Sequence, residues 1–293
     1  MITHASFRNF KALRSVEIDL QRLTVIVGPN GSGKTSILEG IDVLCRRATN
    51  WIVEAFESPK QCEAVLSRGS DGPIEFEVTL DYEEQWVSLT ITKSAGSVGG
   101  QSHQWNEAFS QTTIDVAQGL RADISELRSR VCLLSLRLDP LELRTALYTP
   151  QSLPLLGANG LGLASVIAIL RSKHPDVYRR IEANGPVVIL LDNLDQGLHP
   201  KTQSALMASL RALLAGRPKL QVVATTHSPY VLHSLNFNEV LVMMLREDGS
   251  AVCAPLDCHP EIEQWRDAMT PGEFWSHVGE DWLCSQKLVG TGS

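Results

Sequence analysis

Residues 28–35 read G-P-N-G-S-G-K-T, and their neighbours force them into a sharp reversal. Val25, Ile26 and Val27 form a β-branched run suited to a buried strand, whereas Ile37, Leu38, Ile41 and Leu44 recur at helical spacing. The eight residues therefore occupy a strand-to-helix turn, and Gly28, Gly31 and Gly33 allow its tight, partly left-handed path. The helix that follows starts with unpaired backbone N–H groups and the positive end of its dipole, so the turn forms a cradle for phosphate oxygens. Within this G-x-x-x-x-G-K-[ST] pattern, Lys34 reaches the β and γ oxygens as a mobile point charge, and Thr35 offers a hydroxyl to Mg²⁺. The spacing predicts a nucleoside triphosphate site built from Gly28, Pro29, Asn30, Gly31, Ser32, Gly33, Lys34, Thr35 and Ser36.

The chain has 293 residues, of which 43% are hydrophobic and 20% charged, enough for one large or two modest domains with a proper core. A formal net charge of −7 argues against a general basic coat for nucleic acid. Arg8, Lys11 and Arg14 leave room for a local patch, so DNA stays open as a partner. Residues 1–10 are polar and basic, and the longest apolar run, residues 164–170, is too short to span a bilayer. A cytoplasmic location without membrane contact is the expectation. The six cysteines are scattered without the spacing of a disulfide framework and read as reduced. Cys253, Cys258 and His259 lie close in sequence but match no strong zinc pattern, so the only metal expected is the nucleotide's Mg²⁺.

Along the chain, residues 7–20 read as an opening strand pair, with Val16, Ile18 and Leu20 alternating against Glu17 and Asp19. Residues 74–80 and 87–92 alternate likewise around a turn at 81–85, which predicts an antiparallel hairpin with one wet face. Residues 94–102 are rich in Gly and Ser and read as a flexible loop. Residues 104–182 carry helical patterns, notably at 163–170, broken by Pro140, Pro150 and Pro154, with one strand at 131–138. After Pro186 comes V-V-I-L-L, a continuous apolar strand ending in Asp192, as expected where both faces are buried. His199 and Pro200 open a helix with Leu206, Leu210, Leu213 and Leu214 on one face, closed by Gly216 and Pro218. A third apolar strand, residues 220–224, ends in Thr225, Thr226 and His227. Strand, helix and strand in this order predict a parallel α/β core with ligands at the carboxyl ends of the strands. The expected divisions are 1–103, the first part of a nucleotide-binding lobe, 104–184, a helical insert, 185–245, the second part of the lobe, and 246–293, a tail.

Asp192, at the end of a wholly apolar strand, suits a carboxylate that holds Mg²⁺ through its water shell. His227 in T-T-H-S-P-Y directly follows a strand, where an imidazole can hydrogen-bond a γ-phosphate and report its presence. Taken together, G-P-N-G-S-G-K-T, L-L-D, G-L-H-P and A-T-T-H-S-P-Y resemble the ABC-type ATPases of the RecF, SMC and OLD group, especially the short bacterial AAA-family proteins associated with phage defence. The opening F-R-N-F-K-A-L followed by I-D-L is similar to that group's first strand, and the resemblance covers residues 1–92 and 185–245. It implies an α/β, P-loop NTPase fold of ABC-ATPase type: a mixed sheet core, an antiparallel β subdomain and a helical insert. It also implies ATP and Mg²⁺ as ligands, Thr35 and Asp192 at the metal, His227 as a switch histidine, and a homodimer closing on ATP. DNA repair or phage defence is the implied setting. No nuclease-like or Toprim-like acidic cluster follows, so a nuclease or toxin effector is expected on a separate chain.

Two departures from the family pattern stand out. An acidic residue normally follows the aspartate at position 192, and here Asn193, an amide that cannot take a proton, stands there; loss of a general base slows turnover by about 10²- to 10⁴-fold. Asp195 points to the same side of an extended backbone and is either a substitute base or a plain turn carboxylate. The second departure is the absence of an S-x-G signature in residues 171–186. The L-G-A-N-G-L-G-L segment at 156–163 is similar to the family's earlier helical lobe instead. In the tail, Trp275 and Trp282 are seven apart and fit one helix face across Gly279, packing on the domain or docking a partner subunit.

Overall fold

The computed structural model describes residues 1–47, 65–70, 72–82, 85–93, 95–97, 103–105, 112–116, 132–137, 175, 179 and 187–285. At the N-terminus, β1 (Ile2–Phe10) pairs antiparallel with β2 (Leu13–Asp19). Leu13, Val16 and Ile18 of β2 are buried while Ser15, Glu17 and Asp19 are exposed, the two-fold alternation of a half-buried strand. In β3 (Leu23–Val27) every residue is buried, as a strand covered on both faces requires. After the turn at 28–33 comes α1 (Lys34–Arg47), with Ile37, Leu38 and Ile41 turned inward.

The hairpin expected from alternation is present as β4 (Ile74–Tyr82) and β5 (Gln85–Lys93). Within residues 94–102, expected to be a loop, Ala95–Ser97 forms β6, which pairs in a small ladder with β7 (His103–Trp105), and the other positions lie outside the described residues. Backbone hydrogen bonds alone make such a ladder, so no apolar alternation announces it. The insert expected to be helical likewise holds β8 (Thr112–Val116), which extends the hairpin sheet, and β9 (Cys132–Arg137), the strand expected near 131–138. The helical pattern at 163–170, the segment at 156–163 and most of 171–186 lie outside the described residues.

Then follow β10 (Val187–Asp192), α2 (Pro200–Ala215), β11 (Leu220–Thr226), α3 (Pro229–Leu232), β12 (Val240–Leu245) and β13 (Ala251–Pro255). The tail forms α4 (Ile262–Trp265), α5 (Pro271–Val278) and α6 (Trp282–Ser285). The single tail helix inferred from the tryptophan spacing is thus two helices. Gly279, at φ 64, ends α5, and a left-handed residue there cannot continue a right-handed helix.

Strand order is β2-β1-β4-β5-β8 in the antiparallel sheet and β13-β12-β3-β11-β10-β9 in the mixed sheet. In the latter, β12, β3, β11, β10 and β9 run parallel and β13 is antiparallel. Alternate residues of the mixed sheet face two cores. Ile26, Val188, Leu190, Val223 and Leu241 pack with α1 and with Phe7 and Phe76 of the antiparallel sheet. Val25, Val27, Ile189, Leu191, Val222 and Ala224 pack with α2, α3 and the tail, including Phe274 and Trp282. Arg22 closes the end of α2 by donating to the carbonyls of Leu214 and Arg217, at 2.5 and 3.0 Å. Among the described residues no helix is long and apolar enough to cross a membrane.

Buried Gln221 stitches the two sheets together. Its Oε1 accepts from the Ile2 N–H at 2.9 Å, and its Nε2 donates to the carbonyls of Ile2 and Gln21 at 2.7 and 3.0 Å. Leucine there keeps the volume and removes all three bonds, two of them to the buried Ile2 backbone. We expect Gln221→Leu to lower unfolding free energy by about 2–3 kcal/mol, read from denaturant midpoints at unchanged slope.

Candidate functional site

Because β3 is flanked by β11 and β12, the turn after it emerges at the carboxyl ends of adjacent parallel strands. Its backbone is forced close to β12. Gly28 has φ 151, and a Cβ there would lie 2.0 Å from the Met243 carbonyl oxygen; at Gly33, φ 100, it would lie 2.9 Å from the Met243 Cε. No other residue fits either place. Pro29, Asn30 and Gly31 are exposed at the mouth, whereas Ser32 is fully buried and its Oγ has no hydrogen-bond partner. Thr35 and Ser36 are half-buried on the first turn of α1.

Lys34 is buried too, and its Nζ donates to the Gly28 and Pro29 carbonyls at 2.9 and 2.7 Å. Burial pushes its pKa down from 10.5 to about 8, against the opposing pull of Asp192, Asp195 and Glu280. An ammonium resting on neutral carbonyls is free to exchange them for an anion. Together with the unsatisfied Ser32 hydroxyl and the closely folded turn, this donor set fits a polyphosphate.

Asp192 is also buried. Its two oxygens accept from Thr35 Oγ1 at 3.1 and 3.2 Å, and Oδ1 accepts from Thr225 Oγ1 at 2.7 Å. Thr35 and Asp192 thus meet as an all-oxygen pair, the donor type a hard cation such as Mg²⁺ takes. Thr225 Oγ1 accepts in turn from the Asn193 N–H at 2.8 Å. Asn193 is left-handed, at φ 54, a conformation asparagine tolerates better than most side chains.

Asp195 is engaged rather than idle: its Oδ1 accepts from Thr226 Oγ1 at 2.6 Å and from the His227 N–H at 3.1 Å. It therefore fixes the backbone on which His227 is mounted. Burial and the nearby Lys34 lower the His227 pKa, opposed by Asp195, the Gly28 backbone and Asp192. The imidazole is held neutral and able to donate or accept. Immediately after it, Ser228 Oγ donates to Gln203 Oε1 at 2.6 Å, and Gln203 Nε2 donates to the Leu198 carbonyl at 2.9 Å, tying the segment to α2.

The structure brings together Lys34, Thr35, Asp192, Asp195 and His227, all picked out from the sequence, and adds three residues. Thr225 and Thr226 were readable as hydroxyls at a strand end before His227. Glu280 was not, because no spacing rule relates the tail to the loop; burial raises its pKa, and Lys34 is near enough to pull it back down. Elsewhere, His259 packs edge-on against Phe274 and Trp282 as a core aromatic, and burial pushes the Cys253 thiol up to about 12, which leaves it unreactive. The basic residues near the N-terminus face acids: Arg8 lies 3.7 Å from Glu75, Arg14 lies 3.2 Å from Asp248, and Lys11 pairs with Glu39.

Residues 1–138 match a family model described as "AAA ATPase domain", and residues 160–233 match one described as "AAA domain, putative AbiEii toxin, Type IV TA system". The chain is 31% identical over 124 residues to Septu protein PtuA of Bacillus thuringiensis, which covers 40% of this chain and 30% of that protein. It is 46% identical over 44 residues to OLD nuclease of Thermus scotoductus, which covers 15% and 8% of the two chains. These alignments span less than a third of either relative. Among solved structures, the SMC head domain from Thermotoga maritima superposes with a TM-score of 0.51 at 15% identity, covering 87% of this chain and 98% of that one, a likeness of fold.

The lowered Lys34 pKa has a thermodynamic signature. Between about pH 8 and 10.5 the unfolded chain retains a proton that folded Lys34 has lost, so stability rises with pH across that window. Denaturant midpoints should show this rise in the wild type and lack it in Lys34→Met.

Proposed function

Given that the chain is an ABC-like AAA ATPase of the RecF, SMC and OLD type, we propose that it binds ATP with Mg²⁺ and acts as an ATP-gated switch. The observation that carries this reading is the meeting of Thr35 and Asp192 beside a buried Lys34 whose ammonium rests only on carbonyls. In this reading, Lys34 Nζ leaves Gly28 and Pro29 for the β and γ oxygens, and Ser32 Oγ and the first N–H groups of α1 complete the cradle. Thr35 and Asp192 are the residues that would hold Mg²⁺, which supplies charge neutralisation on the phosphates. His227, fixed through Asp195 and kept neutral, is the group that registers the γ-phosphate. Catalysis falls to Asp192, Asp195 and His227. Asn193 offers no proton acceptor, and Asp195 already accepts two hydrogen bonds, so turnover is slow.

The wider role we propose is ATP-driven homodimerisation that controls a separate nuclease or toxin, in phage defence or DNA repair. The likeness of residues in this chain to OLD nuclease supports a nuclease as the output. The pairing of Arg8, Lys11 and Arg14 with acids favours a protein partner over DNA as the direct target. The combination of Asn193 with an engaged Asp195 favours a second reading, a nucleotide-gated regulatory subunit without turnover. Brisk ATP hydrolysis that depends on Lys34 excludes that second reading.

Lys34→Ala should weaken ATP binding at least tenfold by equilibrium titration, roughly the worth of one charge-assisted contact. Equal affinity would remove the nucleotide site from consideration. ATP should also raise the molar mass seen by light scattering toward that of a dimer. Asn193→Glu should raise turnover by about tenfold or more while lowering stability by about 1 kcal/mol, because glutamate tolerates the left-handed position less well.

A further inference from the structure

We propose that Gln203, buried in the first part of α2, is a positioning residue for His227: together with Asp195 it clamps the segment that carries the histidine on both sides, and so fixes where the imidazole meets a γ-phosphate. This inference rests on the reading of residues 28–36 as an ATP site and of His227 as the group that registers the γ-phosphate.

Gln203 lies one turn inside α2, its backbone N–H bonded at 3.1 Å to the carbonyl of His199, the N-cap. Side chains on a helix lean toward its N-terminus, and this one reaches back over the turn that links β10 to α2. Its Nε2 donates to the Leu198 carbonyl at 2.9 Å and to the Asp195 carbonyl at 3.4 Å, and its Oε1 accepts from Ser228 Oγ at 2.6 Å. Carbonyls only accept, so the nitrogen end of the amide belongs on their side and the oxygen end is left for the Ser228 hydroxyl. An amide can serve both, whereas glutamate cannot donate and leucine can do neither.

The turn that Gln203 grips holds His227 from the other side. Asp195 Oδ1 accepts from Thr226 Oγ1 at 2.6 Å and from the His227 N–H at 3.1 Å, and the Ser228 N–H donates to that same Thr226 hydroxyl at 3.0 Å. The bonds close a ring that runs from Asp195 through Thr226 and Ser228 to Gln203 and back to the Asp195 carbonyl. Asp195 thus holds the residue before the histidine and the histidine's own N–H, and Gln203 holds the residue after it. The turn is braced as well: the Gln196 N–H bonds the Asn193 carbonyl at 3.0 Å, and the Leu198 N–H bonds the Asp195 carbonyl at 3.1 Å. Thr226, Ser228 and Gln203 are buried, where bulk water does not replace a lost bond. A group that reads one phosphate oxygen must be held within about 0.5 Å of its place. Without Gln203 the imidazole keeps only one of its two supports, and a diphosphate, which lacks the γ oxygens, is indifferent to the loss.

The test uses the full chain, with MgATPγS and MgADP as probes in equilibrium titrations, and the variants Gln203→Leu, Ser228→Ala and His227→Ala. We expect Gln203→Leu to weaken ATPγS binding about tenfold and ADP binding by less than about twofold. Ser228→Ala, which removes one hydroxyl and no bulk, should weaken ATPγS binding about threefold with ADP unchanged, and it carries the comparison if Gln203→Leu does not fold. In a His227→Ala background, Gln203→Leu should have no further effect on either nucleotide, a coupling that a residue serving stability alone does not show. Equal weakening of both nucleotides in Gln203→Leu would overturn the proposal, as would ATPγS binding unchanged in both single variants or a loss that persists without His227. Wild-type protein without affinity for either nucleotide sinks the ATP reading and the proposal with it. A His227→Ala protein with wild-type preference for ATPγS sinks the sensing role of the histidine instead, a result distinct from the others.

Discussion

A buried carboxylate must be satisfied or neutralised, and the satisfaction of Asp192 organises the functional end of this molecule. Its oxygens sit among the Thr35 and Thr225 hydroxyls, which come from different elements: one from the first turn of α1, one from the end of β11. Three elements are therefore registered at one point, and the turn between β3 and α1 is held against the strand ends that face it. The same hydroxyl of Thr225 receives the Asn193 N–H, so the path of the chain beyond β10 follows from the same contact. Removing either hydroxyl leaves a charge buried with fewer partners, a more damaging change than loss of an exposed pair.

That network sits on a sheet covered on both faces, which is why β3, β10 and β11 are buried along their whole length and mostly apolar. The antiparallel sheet and α1 cover one face; α2, α3 and the tail cover the other. Gln221 joins the first strand of the antiparallel sheet to β11, the strand that carries Thr225, Thr226 and the approach to His227. Gln203 and Ser228 join α2 to the segment just past the histidine. The segment around His227 is thus tied to α2 through buried hydrogen bonds, and α3 follows it directly in the chain.

Legibility of the sequence followed periodicity. Mostly apolar runs announced β10 and β11 because burial on two faces disfavours polar positions, and alternation announced β4 and β5. The phosphate turn was legible because the Met243 carbonyl at position 28 and the positive φ at position 33 both call for glycine. The ladder of β6 and β7 was not legible, since Gly- and Ser-rich segments pair through backbone alone. The tail was misread as one helix because seven-residue spacing also arises across a break, and only the positive φ of Gly279 shows the break. Asp195 was recognised as a candidate base, yet its hydrogen bonds to Thr226 and His227 depend on strand register, which spacing along one segment does not encode. Glu280 lies further still from any local rule, because its position depends on how α5 packs on α3.

Asn193 shows how backbone geometry limits the chemistry open to the proposed nucleotide site. Its φ of 54 lets the chain turn away from β10 while its N–H still reaches Thr225 Oγ1. Asparagine occupies this left-handed well at small expense, whereas a longer acidic side chain is strained there by about 1 kcal/mol. The geometry that stabilises Asp192 therefore favours an amide at the position where a proton acceptor would serve hydrolysis. Asp195, the acid proposed for that role, already accepts from the Thr226 hydroxyl and the His227 N–H. In the proposed reading, a site whose carboxylates support position more than proton transfer signals through nucleotide occupancy rather than turnover.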